Sequence, residues 1–97
     1  MGNPVKFVQL ASSGNSLANS LRLSGYPESI ARNPRRFWDK KSFMGTLESY
    51  FTQHPDEMYD FAGAIRDGLD AVKSSSYPDY AKRLFFVCLA YKCKGRL

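Results

Sequence analysis

Ten consecutive residues, Arg32-Asn33-Pro34-Arg35-Arg36-Phe37-Trp38-Asp39-Lys40-Lys41, place five cations beside two aromatic rings. Lys and Arg neutralise phosphates and release their condensed counterions, and exposed rings stack on unpaired bases. Arg32, Arg35, Arg36, Trp38, Lys40 and Lys41 are therefore the first candidate binding residues. Lys92, Lys94 and Arg96 would join them in one basic patch if the fold sets the C-terminus alongside. The plainer reading makes Phe37 and Trp38 core residues and the cations a solvated helix face. Pro34 is suited to open a helix, yet Arg35 and Arg36 follow it. Positive charge is the wrong sign for a helix start, which points to another use for these arginines.

Catalysis finds little material. His54 is the single histidine, and it stands directly before Pro55, where an N-cap or exposed turn residue is expected. One His and two Cys fall short of a zinc quartet unless carboxylates or a second chain contribute. A Cys–His dyad would depend on spatial contacts that sequence does not display. Nucleophile elbow, P-loop and dinucleotide fingerprint are all absent from the sequence. The carboxylate pairs Asp56/Asp60 and Asp67/Asp70 share helix faces, but a divalent ion wants more oxygens in a tighter loop. No enzyme activity, cofactor or metal site is expected. Cys88 and Cys93 fall about 140° apart around one helix, so they do not bridge each other. Free thiols, with Cys88 in the core, suit a reducing intracellular compartment such as cytoplasm or nucleus.

Five prolines punctuate the elements that must position these groups: Pro4, Pro27, Pro34, Pro55 and Pro78. Each is placed to start a helix, where a fixed φ fits and the missing N–H is not needed. Pro27, Pro55 and Pro78 are followed by Glu28, Asp56 and Asp79, which suit the positive end of a helix dipole. The clearest helix runs from Pro55 to about Lys73, with Met58, Phe61, Ala62, Ile65, Leu69 and Val72 in one stripe. Gly63 and Gly68 weaken it by up to about 1 kcal/mol each. A last helix runs from Pro78 to about Cys93. Its stripe reads Ala81, Leu84, Phe85, Cys88 and Leu89, and Phe86, Val87, Ala90 and Tyr91 fill most of the rest. A helix apolar nearly all round is expected at the centre, with Pro55–Lys73 packed on it. Alternatively, a second copy covers Phe86 and its neighbours, which keeps a homodimer open.

The remaining segments are shorter. Pro34 to Gln53 reads as helix with a break near Lys40–Ser42, where Ser42 is a possible fresh cap. Asn15 or Ser13 caps a short helix through Leu17, Ala18 and Leu21, and Gly25 ends it. Another helical turn fits Pro27 to Asn33. Ser16 to Arg32 thus has a helix-turn-helix outline, but Pro34 leaves too short a second helix to read bases. Val5 to Leu10 is ambiguous, and turn or helix is preferred because no partner strand is evident. The expected fold is all-α: one domain over residues 1–97, a compact bundle of four to six short helices.

Charge is segregated along the chain. Residues 1–45 hold seven cations and two acids, 46–79 two cations and seven acids, and 80–97 five cations and no acid. An acidic face must therefore exist, which argues against a uniformly basic nucleic-acid wrapper. No apolar run approaches the roughly 20 residues of a membrane helix, and the N-terminus has no apolar signal region. Gly2 and a basic block on a small helical domain resemble the plan of peripheral membrane-binding domains such as retroviral matrix proteins. The likeness is of plan only. Lys6 stands where the acylation pattern wants Ser or Thr, so a membrane surface is not the expected partner. The first expectation is a small non-enzymatic module that acts by protein–protein contact, an inhibitor or adaptor of viral, phage or accessory type. Its support is small size, abundant aromatics and segregated charge. The alternative is a basic nucleic-acid-binding domain that uses Arg32–Lys41 and the C-terminal cations.

Overall fold

In a computed structural model, which describes residues 2–38, 41–74 and 80–93, the chain opens with helix α1 (Pro4–Ser12). Pro4 takes the first helical position, and the Asn3 side chain accepts a hydrogen bond from the Lys6 N–H at 3.0 Å. The ambiguous Val5–Leu10 stretch is thus fully helical. Pro4, Val5, Phe7, Val8 and Ala11 are buried, a spacing of three and four that defines one face.

Helix α2 (Leu17–Leu23) follows, and Ser16 caps it by accepting from the Asn19 N–H at 3.2 Å. Ser13 and Asn15, the expected caps, are occupied with the end of α1. Ser13 donates to the Gln9 carbonyl and the Asn15 amide to the Leu10 carbonyl. The far end of α2 is a Schellman motif. The Gly25 N–H bonds the Arg22 carbonyl at 3.2 Å and the Tyr26 N–H the Leu21 carbonyl at 3.0 Å. Gly25 holds φ at +90°, which an L side chain resists. Gly25→Ala is therefore expected to cost about 1–2 kcal/mol. Thermal melting followed by circular dichroism should then show Tm lower by roughly 4–8 °C per kcal/mol. An unchanged Tm would mean that this turn is not held as described.

The chain continues through α3 (Glu28–Ala31), α4 (Pro34–Trp38), α5 (Lys41–Gln53), a 3₁₀ turn (Pro55–Glu57), α6 (Met58–Ser74) and α7 (Tyr80–Lys92). Every regular element among the described residues is helical. The described residues form seven helices where four to six were expected, because α3 and α4 are separate elements of only four and five residues. At four residues, α3 is too short for a DNA-recognition helix. Pro34 to Gln53 is divided into α4 and α5 as expected, but α5 begins at Lys41, so Ser42 is inside it and not its cap, and Lys40 lies outside the described residues.

The buried apolar side chains form a single cluster. Phe7 of α1 is its hub. Its ring meets Tyr26 and Phe43 edge-on at 6.1 Å each and lies 5.1 Å from Phe85. Phe85 in turn touches Trp38 at 5.6 Å and Phe86 at 5.0 Å. The central helix is thus α1, which packs on α2, α5 and α6, and not the last helix. On α6, Phe61, Ala64, Ile65 and Gly68 are buried while Asp60, Asp67 and Asp70 are exposed, so the acidic face is the solvent side of this helix. Gly68 is more than a weak helix former. A Cβ built there would collide with the fully buried Phe86 ring, so glycine is what lets α6 and α7 approach. The buried thiol is Cys93, while Cys88 is only half-buried, the reverse of the expected emphasis.

Candidate interaction surface

Helix α7 is apolar on two opposite sides. Phe85, Phe86, Leu89 and Cys93 face the core. Tyr80, Leu84, Val87 and Tyr91 are 74%, 39%, 50% and 80% exposed. Their spacing of four, three and four keeps them within one narrow stripe for about 16 Å of helix. The expected core stripe was rotated from the observed one. Ala81 is exposed and Leu84 partly so, while Phe86 is completely covered by this chain's own α6. Phe86 therefore needs no second copy to bury it.

The stripe runs into a cleft of about 400 Å³ between α2, α4 and the start of α7. Leu17, Pro34 and Trp38 line one side and Tyr80, Ala81 and Leu84 the other, with Asn33 and Arg35 also in the wall. Trp38 is there because Phe85 holds its ring, leaving it 4% exposed. Its indole N–H is buried with no hydrogen-bond acceptor among the described residues. The Tyr26 hydroxyl is likewise buried without a partner among the described residues, and burial pushes its phenol above the ordinary value.

Of the candidate cations, Arg32, Arg35, Arg36 and Lys92 have described side chains. Arg32 is exposed and lies 3.8 Å from the Glu28 carboxylate. Glu28 is already gripped by Arg22, with two bonds of 2.9 Å from Nε and Nη2. That hydrogen bonding holds the Glu28 carboxyl below its ordinary value against desolvation, with help from the charges of Arg22 and Arg32. Arg35 and Arg36 are exposed and form no ion pair among the described residues. Lys92 is exposed in the last turn of α7, about 12 Å of helix rise beyond Leu84. It does not share the Arg35 cleft. Lys40, Lys94 and Arg96 lie outside the described residues, and Lys41 is described only as the first residue of α5. The cation on α7 that does adjoin the stripe is Arg83, three residues after Tyr80 and four before Val87.

Trp38 was named as a binding residue and, on the plainer reading, as core; 4% exposed with its ring against Phe85, it agrees with the core reading while its edge still borders the cleft. Sequence reasoning missed Tyr80 and Leu84 as exposed residues and raised Val87 and Tyr91 only as neighbours of Phe86 that a second copy would cover. Their signal was present in the 80/84/87/91 spacing, but a rival stripe on the same helix obscured it. His54 is exposed, and its ring stacks on Tyr50 at 4.4 Å. No cluster of His, Cys, Asp and Glu suited to a metal occurs among the described residues, and no helix there is long and apolar enough to cross a membrane. No family model matches this chain, and neither the curated proteins nor the solved structures contain a match to it.

Proposed function

We propose that this protein is a non-enzymatic protein-binding module of inhibitor or adaptor type, with the outer face of α7 and its adjoining cleft as the docking surface. The observation that carries the reading is the exposed stripe Tyr80, Leu84, Val87 and Tyr91 on a helix whose opposite side is already packed. Contiguous exposed apolar area of this kind marks interaction sites, and Tyr beside Arg is the usual make-up of their energetic centres. A nucleic-acid reading keeps the support of exposed Arg32, Arg35 and Arg36, but Trp38 is 4% exposed. The test is affinity capture from source-cell extract with and without nuclease treatment, with wild type beside Val87→Glu/Tyr91→Glu. Both positions are exposed, so the melting curve of the double variant should stay near wild type. Wild type should retain a protein partner that the variant loses by about tenfold or more. Capture abolished by nuclease, or equal for both proteins, would refute the reading.

A further inference from the structure

The chemistry of this surface also specifies what should sit on it. From its charge and shape we infer that the occupant is an amphipathic helix of a partner protein, with acidic flanks and one large apolar side chain that enters the Trp38 cleft. The inference rests on the docking reading above and adds the class of partner.

Shape supports a helix. The stripe is straight, three turns long and spaced four-three-four, the spacing that packs against a second helix through knobs and holes. The cleft opens beside Tyr80 and Leu84 at one end of that stripe. Its volume of about 400 Å³ accepts a bulky side chain from a helix lying along α7. A free small molecule in the cleft would leave Val87 and Tyr91 uncovered.

Charge chooses the partner. Arg35 stands in the cleft wall and Arg83 borders the stripe, and neither has an ion pair among the described residues. No acid occurs from Tyr80 to Lys92, and none is among the described residues that line the cleft. A second copy of α7 would therefore bring cations against cations. An acidic helix would find its carboxylates opposite both arginines, at a partly desolvated edge where opposite charges steer association and set register. Three of the protein's nine carboxylates, Asp60, Asp67 and Asp70, are on the exposed face of α6.

Selection from a displayed peptide library tests this directly. The library is a helical 16-mer with apolar residues at heptad spacing and flanks randomised among Asp, Glu, Lys, Arg and Ala. Wild type should enrich peptides with Asp and Glu flanks and a Trp, Phe or Leu at a fixed position. The strongest such peptide should bind Arg35→Glu/Arg83→Glu about tenfold or more weakly, and selection on that variant should favour Lys and Arg flanks. Library enrichment without acidic preference, no enrichment, or indifference to the charge reversal would overturn the inference. So would sedimentation showing a dimer that Val87→Glu dissolves, which assigns the face to a second copy. Tighter binding of a labelled 20-nucleotide RNA or DNA that the same charge reversal abolishes would also overturn it. If extract capture depends on Val87 and Tyr91 while selection favours basic flanks, the docking surface stands and the acidic helix falls.

Discussion

Replacing Phe7 with alanine is expected to remove about 3–5 kcal/mol of stability. Domains of this size have about 5–15 kcal/mol in total, so much of the fold's margin would go with one ring. The loss is large because Phe7 is completely buried and joins rings from three other parts of the chain. These are Tyr26 after α2, Phe43 on α5 and Phe85 on α7. Removing the ring leaves a cavity bordered by aromatic planes, which cannot collapse into it without breaking their own edge contacts. Urea denaturation should show a lower midpoint with nearly the same slope, because the surface exposed on unfolding changes little. Phe7→Leu, which keeps more volume, should lose distinctly less. A loss below about 1 kcal/mol for alanine would mean that α1 is not the centre of the core.

The same residue shows where sequence reading stops. Pro4 at a helix start, Gly25 at a helix end and the acidic solvent side of α6 were legible, because each follows from the chain's local chemistry. The importance of α1 was not. Its apolar residues admit several local structures, and only contacts with distant Phe43 and Phe85 make Phe7 central. Helix α7 failed differently. Apolar residues on both sides give no single stripe, so periodicity names the helix without saying which side faces in. The candidate site inherited that ambiguity. Arg35 and Arg36 were correctly placed in solvent, yet their neighbours depend on how α4 meets α7, and Trp38 went to the core through its contact with Phe85.

What fixes the rotation of α7 can be tested at Gly68. Helix propensity alone predicts that Gly68→Ala stabilises α6 by about 1 kcal/mol. The opposite sign is expected, a loss of about 1–3 kcal/mol, because the added methyl enters space held by the buried Phe86 ring. Gly45→Ala is the matched control. Gly45 lies within α5 with no atom within 4 Å of an added Cβ, so alanine should stabilise there. Phe86→Leu should destabilise the wild type but cost less in the Gly68→Ala background, a coupling of about 1 kcal/mol or more in a double-mutant cycle. The relief must come from movement of Phe86 and the helix that carries it, and Tyr80, Leu84, Val87 and Tyr91 ride on the other side of that helix. Amide shifts between Tyr80 and Tyr91 should therefore change in Gly68→Ala while those of α2 stay put. If Gly68→Ala stabilises as Gly45→Ala does, α7 is free to turn, and an exposed stripe that turns with it has no fixed face to offer a partner.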